Sequence, residues 1–215
     1  MRMLRIIGKL LISVGVGVLL FVAWTLWGTG IYTEREQRAL ASELNLLLQR
    51  PIPPDPELGG PPKGFDPDPG DGVFRIRIPK ADVDHVVVEG VGTEELRKGP
   101  GHYPDCEPGF APPLCTPLPE KWPGERGRVI ISGHRTTYGA PFYDLNELAS
   151  GDKIQIEAQW GDFTYEVVDT MIVLPNSTDI ANPRASNARE LVLTTCNPRF
   201  SAAERLIVVA RLETP

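Results

Sequence analysis

LVLTTCNPRFSAAERLIVVARL, residues 191–212, holds an apolar run, a lone cysteine at Cys196, a short polar turn and a second apolar run opened by Arg205. Asn197 and Pro198 end the first run at once, so the two runs read as successive strands joined by a turn. Working outward from this pair, the chain from Val73 onward repeats the pattern. VFRIRIP alternates apolar and basic residues, DHVVVEGV and RVIISGH are β-branched runs, KIQIEA alternates, and FTYEVVDTMIV is a long strand candidate. TEELRKG and FYDLNELAS are expected to form no more than short helices. Short strands punctuated by Gly and Pro turns predict an all-β domain, a sandwich or small closed barrel of about eight strands.

The N-terminal third is of another kind. Arg2, Arg5 and Lys9 precede an uncharged run from Leu10 to Gly28, close to the roughly 20 residues that cross a bilayer core. The basic flank predicts a cytoplasmic N-terminus and an exported remainder, with Trp24 and Trp27 at the outer interface. A cleaved signal peptide is the alternative, but its apolar core is usually about 7–15 residues and ends at small residues rather than tryptophans. Residues 1–32 are therefore read as a basic tip and transmembrane anchor. Within 33–72, Leu40, Leu44, Leu47 and Leu48 at helical spacing predict an amphipathic stalk helix over 33–50, and the Pro, Gly and Asp text of 51–72 predicts a semi-rigid extended spacer. The folded domain is placed at 73–215. A net charge of −6 and the absence of a basic cluster beyond the N-terminus argue against nucleic-acid binding.

Three cysteines leave at least one unpaired within the chain. Cys106 and Cys115 bracket a Pro-rich loop, and a bridge between them is the expectation for an exported domain; a reduced pair, or pairing of one with Cys196, is the alternative. A free Cys196 is then either a buried small hydrophobe or a nucleophile. A nucleophile needs a base. Of His85, His102 and His134, the last is best placed, at the end of the VIIS strand and before GHRTTYGAPF. Arg205, nine positions after Cys196, folds back beside it across the turn. No paired Cys/His spacing suits zinc, and the acidic residues from Glu89 to Glu95 lack the dense oxygen pattern of a calcium loop, so neither a metal nor a cofactor is expected.

ISGHRTTYGAPF, then LTTC, then an arginine opening the next strand, resembles the sortase family of cysteine transpeptidases over roughly residues 73–212. The resemblance implies an eight-stranded β-barrel outside the cell. It makes Cys196 the nucleophile, His134 the general acid and base, and Arg205 the partner of the substrate carbonyl or oxyanion. One departure is Val192, where the family's TLxTC motif begins with threonine; packing rather than chemistry is expected to feel it. HRTTYGAPF, with Tyr138, is most similar to class E sortases of high-GC Gram-positive bacteria, with class D left open. By resemblance, Tyr138 lines the pocket for the sorting signal's second residue and Thr195 steadies the substrate or the arginine. The implied partners are secreted proteins with a C-terminal LAxTG- or LPxTG-like signal, and an amine of lipid II or another peptidoglycan precursor. Pilin polymerisation is an alternative outcome of the same chemistry. A membrane-tethered β module that binds partners with an inert Cys196 is the non-enzymatic one.

Overall fold

The computed structural model describes residues 2–106, 115, 116, 118–177, 179–185 and 187–213; the middle of the 106–115 insertion and the Trp27 side chain lie outside them. Among the described residues, eight strands form a closed barrel: β1 (Gly72–Ile78), β2 (Val83–Glu89), β3 (Gly101–His102), β4 (Gly127–Ser132), β5 (Lys153–Ala158), β6 (Gly161–Val173), β7 (Arg189–Asn197) and β8 (Glu204–Leu212). Their order around the barrel is β1-β2-β3-β4-β7-β8-β6-β5, with β5 returning to β1. Pairing is antiparallel except for β2 with β3 and β4 with β7. The alternation in β1 sends Phe74, Ile76 and Ile78 inward, and it sends Arg75 and Arg77 outward to Asp84 and Glu157.

The long apolar runs have a different cause. Strands β4, β7 and β8 are covered on both faces, which removes the polar half of the alternation. Val129, Ile131, Leu191, Leu193, Leu206 and Val208 fill the barrel. On the outer face Ile130, Val192, Ile207 and Val209 form a second cluster, covered by Tyr103, Leu118, Ile180 and Ala181. Val192 is fully buried there, in a packing position.

The N-terminal region departs from the stalk-and-spacer expectation. Helix α1 (Arg2–Ala23) continues through a π-helical turn at Trp24–Gly28 into α2 (Thr29–Leu48), four residues earlier than the predicted start at 33. Helix α2 lies on the barrel, burying Leu40 and Leu44 against Val86 and Val88. The Gln37 amide completes the contact: its oxygen accepts from Val86 N–H, and its nitrogen donates to the carbonyls of Val86 and Lys98. The Pro-rich segment is likewise fastened down. Asp55 accepts from Glu57 and Leu58 N–H, Ile52 packs on the core, and Phe65 meets Trp122 and Trp160 edge-on at 5.1 and 5.3 Å. Proline excludes helix and central strand, but it leaves apolar neighbours free to bury themselves.

Between β2 and β3, α3 (Thr93–Lys98) forms over TEELRKG, and FYDLNELAS contributes a 3₁₀ turn at Leu145–Glu147. Cys106 and Cys115 are joined by a disulfide, and Cys196 is free.

His102 anchors the segment between β3 and β4. It is fully buried; Nδ1 faces Glu89 at 2.8 Å and Glu120 at 3.4 Å, and Nε2 faces the Lys121 carbonyl at 2.9 Å. Acceptors at both nitrogens call for the imidazolium, which donates twice. Burial opposes that charge, but Glu89 and Glu120 outweigh it and hold His102 above its ordinary value. Burial also pushes the Glu120 carboxyl up to about 7, against the attraction of His102. The folded chain thus keeps protons that the unfolded chain has lost: Glu120 withdraws stability as pH rises from about 4.5 to about 7, and His102 as pH rises above about 6.5. The melting temperature of Glu120→Gln is expected to fall less than that of wild type between about pH 5 and pH 8, measured by thermal denaturation of the full chain in detergent.

Candidate active site

Strands β4 and β7 are parallel and in register from Gly127↔Arg189 to Ser132↔Thr194, so both chains leave the barrel at the same rim. The pairing runs past the strand end: Gly133 N–H donates to the Thr194 carbonyl, and the Thr195 hydroxyl donates to the Gly133 carbonyl at 2.7 Å. His134 follows on β4's side and Cys196 on β7's. In the antiparallel β7–β8 ladder, Cys196 stands directly opposite Arg205. His134, Thr195, Cys196 and Arg205 all line one groove of about 650 Å³.

The groove lies over the outer apolar cluster. Its floor includes Ile130, Ser132 and Thr194, and one wall is Tyr103, Cys115 and Thr116. The other wall comes from β6's end and the connection that follows, Val173 to Ser177 together with Ile180 and Ala181. The disulfide stands in the first wall, where Asp105 and Thr116 pair and Cys106 N–H donates to the Thr116 carbonyl. The second wall is tied to the barrel by the buried Arg128–Glu190 ion pair at 2.6 Å, since Arg128 Nη1 also donates to the Ile180 carbonyl.

The surroundings of His134 favour its neutral form. Burial lowers its pKa, and the Arg97 guanidinium lowers it further. Cys196 is partly exposed. Arg205 Nη1 donates to the carbonyls of Ala202 and Glu204, which anchors its guanidinium at the β7–β8 turn. Tyr103 lies beside Ser132, Cys196 and Arg205; burial raises its pKa, so it stays a neutral phenol.

The structure places Tyr138 and Thr195 as follows. Tyr138 is not among the groove-lining residues; its ring lies 5.0 Å from that of His134, with Arg97 on it at 5.7 Å. The Thr195 hydroxyl spends its proton on Gly133, so it joins the histidine and cysteine strands and offers a substrate only its lone pairs. His85 and His102 line no part of the groove. Glu89, His102 and Glu120 bring ligand-type atoms within 4.8 Å of one another, away from the groove; there His102 Nε2 faces the Lys121 carbonyl and Nδ1 faces the two carboxyl groups.

Sequence reasoning missed Arg135. It is almost fully buried, and its guanidinium donates to the carbonyls of Cys196 and Tyr143 and to the side chains of Asn146 and Asn197. It therefore cross-braces the histidine loop and the cysteine strand. A basic residue directly after the candidate histidine was the available signal. Gly133 was missed as well: a Cβ there would lie 2.5 Å from the Phe142 ring.

A family model described as the sortase domain matches residues 76–213. The chain is 31% identical to sortase E1 of Streptomyces coelicolor over 97% of its own length, although it spans only 56% of that protein. It is 34% identical to sortase D of Bacillus subtilis, covering 70% of this chain and 68% of that one. A crystal structure of S. coelicolor sortase E1 with a tripeptide in its active site superposes with a TM-score of 0.57 at 30% identity, covering 69% of this chain and 92% of that one.

Arg135→Lys keeps the charge but loses the planar fork, leaving several oxygens without their donor. It is expected to lower stability by about 1–3 kcal/mol, read by denaturant unfolding of the full chain, and to slow Cys196 alkylation or any turnover more than an exposed Arg→Lys change does.

Proposed function

Since the chain belongs to the sortase family, we propose that it is a membrane-anchored transpeptidase that cleaves a C-terminal LAxTG- or LPxTG-like signal between Thr and Gly and passes the acyl group to a cell-wall amine. The observation that carries this reading is the direct opposition of Cys196 and Arg205 across β7 and β8 at the end of a groove that His134 also lines.

In the proposed reaction His134 takes the Cys196 proton and the sulfur adds to the threonine carbonyl. The oxyanion is met by Arg205, whose charge persists at any working pH. Collapse breaks the Thr–Gly bond, His134 returns its proton to the departing glycine amine, and a thioester remains. An incoming amine then gives its proton to His134, attacks the thioester and expels the Cys196 sulfur. The apolar walls suit the aliphatic part of such a signal.

Several observations support the cellular setting. The continuous helix through Arg5–Leu48 contains a stretch long and apolar enough to cross a membrane, Arg2, Arg5 and Lys9 lie at the start of that stretch, and Trp24 is exposed toward its end. The Cys106–Cys115 disulfide fits an oxidising compartment outside the cell. The Pro-rich segment packs by Trp122 and Trp160 and contributes nothing to the groove lining, which favours wall anchoring over the lidded arrangement of pilin polymerisation.

The test uses the full chain in lipid nanodiscs with LAxTG and LPxTG peptides and a glycine-like amine, products being read by mass spectrometry. Ligated product is expected from the wild type and none from Cys196→Ala. Because burial lowers the His134 pKa, the acid limb of kcat/KM should fall below the ordinary imidazole value near 6.5. A folded chain that forms neither acyl-enzyme nor product with either peptide overturns the reading.

A further inference from the structure

Among the described residues, the first side-chain hydrogen bond from the N-terminal helix to the barrel domain goes to the histidine loop. Thr29, the first residue of α2, accepts the Tyr138 N–H on its hydroxyl oxygen at 3.0 Å. One turn on, the Thr33 hydroxyl donates to the Arg97 carbonyl at 2.8 Å, and Thr33 is almost fully buried. Gly30 and Thr33 also press on Gly139: ideal Cβ atoms would meet Gly139 backbone at 3.6 Å from Gly30's side and Thr33 Cγ2 at 3.4 Å from Gly139's.

The loop held in this way is strained. Tyr138, Gly139 and Ala140 carry φ of 51°, 73° and 47°, three successive left-handed residues of which only the glycine adopts that conformation freely. Such a run persists where its surroundings over-determine it. Here those surroundings are α2 on one side and, on the other, the Phe142 N–H bond to the His134 carbonyl. Tyr138 and Arg97, the two residues that α2 fastens by their backbones, are also the residues stacked behind the His134 ring.

We infer that α2 is a positioning element of the active site: through Thr29 and Thr33 it fixes the Tyr138–Arg97 stack that sets the placement of the His134 imidazole. The inference rests on the proposed role of His134. Thr29, Thr33, Tyr138 and Arg97 are positioning residues, none of them in the groove's reacting corner. Arg97 and Tyr138 lie beside His134 on the loop side, and Cys196 and Arg205 line the same groove as it does. Loosening the stack moves Arg97 away and lets water reach the ring, and both changes return the imidazole toward its ordinary proton affinity.

The experiment compares wild type, Thr29→Val, Thr29→Val/Thr33→Val and Thr29→Ser as full chains in nanodiscs. Steady-state kinetics are paired with titration of the ring by ¹H–¹⁵N spectroscopy, His134 being assigned against His85 and His102 with His134→Gln. The valine variants should lose about five- to tenfold in kcat with little change in KM, a loss of the size one hydrogen bond commands. Their acid limb and their His134 titration should move upward, and Thr29→Ser, which keeps the acceptor, should restore both. Should the double variant misfold, Thr29→Val alone carries the test, since it removes one acceptor and leaves the Leu40 and Leu44 contacts intact. Wild-type kcat and an unmoved His134 titration in Thr29→Val overturn the inference. Absence of turnover in wild type would count against the transpeptidase reading instead, and the His134 titration would still decide this one.

Discussion

The parallel pairing of β4 with β7 is the constraint on which the site depends. Two neighbouring strands that run the same way end at the same rim, so residues that follow β4 and residues that close β7 meet without any loop having to carry them there. An antiparallel pair would place His134 and Cys196 at opposite ends of the barrel. Parallel neighbours need a long crossover, and here it contains β5 and β6, which close the far side of the barrel. The Thr195–Gly133 bond and the Arg135 brace then hold the two exits at one spacing. β8 completes the arrangement by returning from a short turn with Arg205 opposite Cys196.

The same pairing accounts for the groove. Because β4, β7 and β8 are apolar on both faces, their outer side must be covered, and it is covered at its margins by Tyr103 and Leu118 from one connection and by Ile180 and Ala181 from another. What remains between those two connections is the groove, which His134, Cys196 and Arg205 also line. The buried Arg128–Glu190 pair fixes one margin and the disulfide closes the other. Removing either partner of that ion pair would leave a buried charge, so the wall and the barrel are bound to fold together.

The strands and the Cys196–Arg205 pair were legible because their signals are local. Alternation in VFRIRIP, the β-branched runs and a nine-residue offset across a turn each reflect neighbours close in sequence. The docking of α2 was not, because Leu40 and Leu44 look alike whether they face a barrel or another helix, and Gln37 gives no hint of the strand edge it satisfies. Phe65 and Ile52 were the one trace of order in the Pro-rich segment, as apolar residues in text otherwise suited to solvent. Tyr138 was expected in the signal's pocket by resemblance alone, and no local pattern told that the left-handed turn through Tyr138, Gly139 and Ala140 would set its ring against that of His134.

That turn also fixes how the barrel relates to its apolar helix. The uncharged run continues to Thr33, and Thr29 within it is already bonded to Tyr138, so the loop that follows His134 sits against the C-terminal end of that run. A free stalk with an extended spacer would let the barrel sample many heights and tilts, and each encounter would bear the entropy of choosing one. A helix bolted to the barrel by Thr29, Thr33, Gln37, Leu40 and Leu44 has made that choice in folding. For a reaction whose proposed substrates, a protein with a C-terminal sorting signal and a lipid-linked amine, would themselves be held at the same membrane, a fixed height raises the effective concentration of both at the groove. The contacts that would confer this height are the ones that hold the stack beside His134, so on the proposed reading the barrel's distance from a membrane and the placement of the proposed acid–base residue would be set by a single interface.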